Sequence, residues 1–111
     1  MRKAIVTGGG TGIGRATAEY LAQRGWQVTA AGLERDADLP ADIAFADCDI
    51  TDAGARAALF SEVGELHGLV NCAGVIRFDD EWTDDGFRKV MEINVGGSFA
   101  VANAALPALE R

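Results

Sequence analysis

Eight residues near the N-terminus, Thr7-Gly8-Gly9-Gly10-Thr11-Gly12-Ile13-Gly14, carry the strongest chemical signal in the chain. They lie between the run Lys3-Ala4-Ile5-Val6-Thr7, β-branched and apolar, and a segment from Gly12 to Arg24 whose apolar residues fall at helical spacing. Strand, glycine turn and helix start in that order bring free backbone N–H groups together with the positive end of the helix. This arrangement holds an anion such as a pyrophosphate. Gly8 permits the tight turn, Gly12 keeps a Cβ out of the path of the diphosphate, and Gly14 allows the helix to pack closely on the sheet. The order of the flanking elements, more than the glycines themselves, distinguishes the segment from a flexible turn.

Three further residues fall at or just beyond the ends of later strand-like runs. Asp49 follows one such run, and Asn71 and Ala73 end or follow another. In an open α/β sheet these C-terminal strand ends are where ligands bind. Each residue also has a local use: Asp49 as a loop or capping acid, Asn71 as a turn residue, and Asn94 as a polar residue bonding nearby carbonyls.

The elements that must position these groups alternate. After the first strand and its helix, which carries Ile13, Ala16, Ala18, Leu21 and Ala22 and stops at Gly25, a second strand is predicted over Trp26–Ala31, ending at Gly32. A third is predicted over Ile43–Ala46, and Pro40 in the short link between them favours a loop over a helix. Thr51 or Asp52 caps a helix running to about Glu65, with Ala55, Leu59, Phe60 and Val63 inward. Leu69–Asn71 form a fourth strand, followed by a loop through Ile76, Phe78 and Trp82. Thr83 caps a further helix with apolar positions Phe87, Val90, Met91 and Ile93, and a second helical run beyond Asn94 reaches Leu109 with a kink or break near Pro107. Such alternation defines an α/β fold, a parallel sheet with helices on both faces and strand order 3-2-1-4.

Four motifs in order resemble the short-chain dehydrogenase/reductase family across essentially the whole chain. Thr7 to Gly14 matches every fixed position of the family's T-G-x-x-x-G-I-G turn. Asp49-Ile50 is similar to its acidic pair that meets the adenine. Asn71-Cys72-Ala73-Gly74 is similar to N-N-A-G, with Cys72 in place of the second Asn, and Asn94-Val95-Gly96-Gly97-Ser98-Phe99 to N-V-x-G-x-F. The resemblance implies a Rossmann-type domain over residues 1–111 and a bound NAD or NADP. It also implies hydride transfer between nicotinamide and a small-molecule carbonyl or secondary alcohol. On that basis Gly8, Thr11, Gly12, Ile13 and Gly14 line the pyrophosphate, Asp49 and Ile50 the adenine, and Asn71, Ala73 and Gly74 the ribose side, while Asn94 supports a proton-relay water. The choice between NAD and NADP stays open. Gly32 ends the second strand, Glu34 would suit a ribose hydroxyl and Arg35 a 2′-phosphate, and Thr11 stands where many NADP-preferring relatives carry a basic residue.

The family's reaction also needs a Ser and a Tyr–Lys pair in Y-x-x-x-K spacing. The one tyrosine, Tyr20, is followed four residues later by Arg24. The chain therefore reads as the cofactor-binding part of such an enzyme, truncated before its second half, whether as a cut piece, a relic or a minimal module. A non-catalytic dinucleotide-binding or assembly module is the alternative. Truncation would expose the outer edge of the fourth strand, so a second copy or the missing half is expected to cover it.

Composition excludes other classes. A net charge of −7 with scattered Lys and Arg does not suit a phosphate backbone, which removes nucleic acid as a partner. No stretch approaches the roughly 18 apolar residues of a membrane span, and the N-terminus lacks a signal-peptide core, so a cytoplasmic protein is expected. Cys48 and Cys72 lack metal-ligand spacing and read as reduced, packed thiols; no metal site is expected. His67, alone before Gly68-Leu69-Val70, reads as a surface or turn residue.

Overall fold

Residues 1–74 and 82–110 are described by a computed structural model. Strands β1 (Lys3–Thr7), β2 (Gln27–Gly32), β3 (Ala44–Asp47) and β4 (Gly68–Asn71) form one sheet in the order β3-β2-β1-β4, every pairing parallel. Helices α1 (Gly12–Gln23), α2 (Ala53–Val63), α3 (Asp84–Met91) and α4 (Ser98–Leu109) connect or follow them, and a π-helical turn over Glu92–Gly97 joins α3 to α4. The strand order and the two-sided helical cover are those predicted. The loop expected through Ile76 and Phe78 lies outside the described residues.

The period-two alternation of strands sorts the core into two layers. Val6, Val28 and Ala30 face α1 and meet Ala18, with Ile43 closing the same layer. Their chain neighbours Ile5 and Ala31 face the other way, onto Leu59 and Phe60 of α2 and Val101, Ala105 and Ala108 of α4. The runs are apolar at successive positions because both faces of these strands are buried.

Element ends follow local hydrogen bonding. Trp26, predicted in the second strand, belongs instead to the turn that closes α1: its N–H donates to Leu21 O at 3.1 Å, beyond Gly25 at φ +88°. Ile43 likewise precedes β3, its N–H taken by Pro40 O at 3.1 Å. Asp52 is the N-cap of α2, its carboxylate accepting from the Ala55 N–H at 2.8 Å, and Gly64 at φ +69° stops that helix before Glu65. Thr83 caps α3 as expected, accepting from the Gly86 N–H.

Three expectations change. Ile13 and Ala16 turn away from the α1 core, which is built by Ala18, Leu21 and Ala22. Phe87 and Met91 of α3 are exposed. No break falls at Pro107, because α4 runs through it to Leu109 and the Glu110 N–H continues the ladder to Leu106 O. Pro107 and Asn103, whose carbonyl loses a donor, both lie on the solvent face, where water can replace that bond, while Val101, Ala105 and Ala108 hold the opposite face. The irregularity falls at Glu92–Gly97 instead, and no proline signals it.

Candidate functional site

The parallel registers align Thr7 with Ala31 and with Asn71, and Gly32 with Asp47, so the C-terminal ends of all four strands form one edge. The predicted site residues gather along it. At its centre is Thr7, fully buried. Its hydroxyl donates to Asn71 Oδ1 at 3.0 Å and accepts from the N–H groups of Cys72 at 3.2 Å and Ala73 at 3.3 Å. Asn71 then donates through Nδ2 to the Ser98 carbonyl at 3.3 Å, tying β4 to the start of α4.

The glycine turn is packed onto this hub. Gly8, at φ +66°, donates its N–H to Ala31 O at 2.7 Å, and a Cβ there would stand 2.8 Å from Ala73 N. A Cβ on Gly14 would overlap Gly8 O and stand 2.6 Å from the Gly8 carbonyl carbon. The close approach expected of Gly14 is thus to the turn's own backbone. Gly12, at φ +56°, has nothing within 4 Å of its Cβ position, so the mouth of the turn is open where a diphosphate would approach. Thr11, the N-cap, makes no side-chain capping bond, and no acidic residue occupies the first turn of α1. Ile13, 82% exposed, stands beside this opening.

The remaining predicted residues close the arc. A Cβ on Gly74 would meet Asn94 Oδ1 at 3.0 Å, which brings the π-helical turn to the end of β4. A Cβ on Gly97 would meet Ile50 Cδ1 at 2.8 Å, so the same turn also touches the segment after β3. Ile50 itself is a core residue, 5% exposed, whose carbonyl accepts from Arg56 Nη1 at 2.7 Å. The Asp49 carboxylate accepts from the Thr51 hydroxyl and N–H, and these bonds hold its pKa below the ordinary carboxylate value.

Sequence reasoning passed over Thr7 as a site residue, although a hydroxyl ending an apolar strand was the available signal. It also missed Arg15. The Arg15 guanidinium reaches Glu19 at 2.7 Å, Asp36 at 2.9 Å and Asp38 at 2.6 Å, joining α1 to the β2–β3 loop. Only the i, i+4 pair with Glu19 was legible from spacing. Tyr20 faces solvent with the Arg24 guanidinium 3.8 Å from its ring centre, and His67 Nδ1 accepts from the Lys3 N–H at the opposite sheet edge. Burial pushes the Cys48 thiol up, away from the reactive thiolate. Among the described residues no group of three or more metal-type ligands occurs, and no helix is long and apolar enough to cross a membrane.

Fold and site define a Rossmann-type α/β protein with a glycine-rich crook at the C-terminal edge of its sheet. The chain belongs to the short chain dehydrogenase family, a family of oxidoreductases, whose family model matches residues 2–111. It is 36% identical to the 3-oxoacyl-(acyl-carrier-protein) reductase MabA of Mycobacterium tuberculosis, over 99% of this chain and 46% of that protein. It is 33% identical to L-fucose dehydrogenase of Bos taurus, over 96% and 44% respectively. The solved ligand-free aldohexose dehydrogenase of Thermoplasma acidophilum superposes with a TM-score of 0.83 at 27% identity, over 97% of this chain and 44% of that one. The chain thus spans less than half the length of these relatives.

Proposed function

We propose that this chain is the dinucleotide-holding part of an NAD- or NADP-dependent oxidoreductase that interconverts a carbonyl and a secondary alcohol. The open crook carries the reading: Gly12 leaves the mouth of the turn clear, and no side chain caps the start of α1. The N–H groups of Gly12, Ile13 and Gly14 and the helix dipole would hold the pyrophosphate, with Gly8 and Thr11 shaping the turn. Asp49 and the Ile50 backbone would meet the adenine, and Asn71, Ala73 and Gly74 the ribose side. Asn94, beside Gly74, would hold a water in the proton relay. The cofactor, when bound, supplies the hydride chemistry. The same reading places the protein in the cytoplasm, where Cys48 and Cys72, both unpaired in the fold, stay reduced.

Calorimetric titration of NADH and NADPH, with a parallel carbonyl-reduction assay, tests this. One or both dinucleotides are expected to bind the 111-residue chain without turnover, and reduction is expected only when the C-terminal half of a relative is supplied. Absence of binding overturns the proposal, as does turnover by the chain alone. The alternative, a non-catalytic binding module, is favoured by the position of Tyr20 on the solvent face beneath Arg24. Binding without turnover even in the presence of the supplied half would select it.

We also propose that a second copy, or the further chain that the relatives carry, covers the outer edge of β4 and the exposed apolar residues of the π-helical turn and α4. Among the described residues no strand pairs with that edge, and Val95, Phe99 and Leu106 are 54%, 68% and 47% exposed. Gel filtration is expected to show a species larger than 11.6 kDa or a complex with the supplied half. A lone monomer that ignores that half would refute the association.

A further inference from the structure

Cofactor choice in a site of this kind depends on the segment after the second strand, where an acid suits a free ribose 2′-hydroxyl and a cation suits a 2′-phosphate. Here that segment runs back along the glycine turn. The Asp36 N–H donates to Gly10 O at 2.8 Å. A Cβ on Gly10 would overlap Glu34 O and stand 2.7 Å from Arg35 Cα, so residues 34–36 lie flush against the turn. Two cations stand nearby, and both are engaged. The Arg35 guanidinium lies over the Phe45 ring, 5.4 Å from its centre. Arg15, its side chain 21% exposed, directs Nε at Glu19 and Nη1 at both Asp36 and Asp38, while Nη2 reaches the Asp38 carbonyl at 3.2 Å. Bonding to Arg15 holds the Asp38 carboxyl below its ordinary value. Among residues 34–38 the acids Glu34, Asp36 and Asp38 outnumber the one basic residue, Arg35, and Thr11 adds no charge.

We propose that Arg15 is a positioning and selectivity residue. By clamping Asp36 and Asp38 it keeps residues 34–38 on the glycine turn and withholds its own guanidinium from a 2′-phosphate, so the site prefers NAD to NADP. A guanidinium fork already filled by carboxylates has few donors left for a phosphate, and the surrounding acids repel a dianion. The inference rests on the reading of the glycine turn as a dinucleotide site.

The test is calorimetric titration of NADH and NADPH against the 111-residue chain and four variants, each checked by thermal melting. Wild type is expected to bind NADH at least about 10-fold more tightly than NADPH, a gap of about 1.4 kcal/mol. Asp36→Asn with Asp38→Asn unmasks Arg15 and is expected to narrow the ratio at least about fivefold by tightening NADPH. Adding Arg15→Met to that pair is expected to cancel the gain. Asp42→Asn, which removes a charge from the same loop outside the clamp, should leave the ratio within about twofold. Asp38→Asn alone, at a side chain 83% exposed, tests the unmasking should the paired variant not fold. Equal binding of the two dinucleotides by wild type overturns the inference and leaves the dinucleotide reading standing. So does a ratio unmoved by the Asn variants, or one moved as far by Asp42→Asn. Binding of neither overturns both.

Discussion

Replacing Gly14 with alanine is expected to lower stability by about 3 kcal/mol, at the upper end for overpacking a close contact, and to reduce dinucleotide affinity at least about 100-fold. The added methyl would stand inside the radius of Gly8 O and 2.6 Å from the Gly8 carbonyl carbon. Neither is the movable end of a side chain. Relief requires shifting the backbone of the turn, and Gly8 cannot retreat because its own α-carbon faces Ala73 N across a gap that a Cβ would fill at 2.8 Å. The turn therefore leaves the conformation that presents the α1 amides. Urea unfolding and NADH titration of Gly14→Ala measure both effects. Gly54→Ala, where a Cβ would make only an ordinary 3.5 Å contact with Asp52, serves as the control. A Gly14→Ala chain with wild-type stability and affinity would show that the turn does not depend on this approach.

Thr7→Val keeps volume and branching but deletes the hydroxyl at the centre of the strand-end hub. It leaves the Ala73 N–H and Asn71 Oδ1 without their shared partner, while the Cys72 N–H retains Thr7 O at 3.0 Å. The expected loss is about 1 to 2 kcal/mol, the usual consequence of stranding a partly buried donor. Dinucleotide affinity is expected to fall about 10-fold, because Asn71 and Ala73 lose the bonds that fix them against the glycine turn. Thr7→Ser restores the hydroxyl and is expected to recover most of the affinity. A Val variant that binds as tightly as wild type would separate the hub from the site.

Most of the frame was legible before any coordinates. Unbroken apolar runs such as Ala4-Ile5-Val6 mark strands buried on both faces, glycines mark where the chain turns, and short parallel strands joined by helices admit few topologies. The positions of Gly8, Asn71 and Ala73 followed, since each sits next to the end of a strand and register alone brings those ends together. Side-chain destinations were less legible. The family resemblance gives Ile50 a place against the adenine, yet its side chain fills the gap that Gly97 leaves in the π-helical turn. Ile13 fits a helical apolar stripe, yet it stands exposed at the open start of α1, where none of the described residues buries it.

Periodicity and glycine placement act over a few residues, and so residue order fixed the strand–turn–helix crook and the sheet order. The Arg15 clamp, the Thr7 hub and the π-helical turn carrying Asn94 emerged only on folding. Arg15 meets Asp36 and Asp38 across 21 and 23 residues of chain, and Thr7 meets Asn71 across 64. Local propensity does not encode such pairings; they arise because sheet register and helix packing bring distant polar groups within hydrogen-bonding range, where a buried group left unpaired would cost the fold free energy.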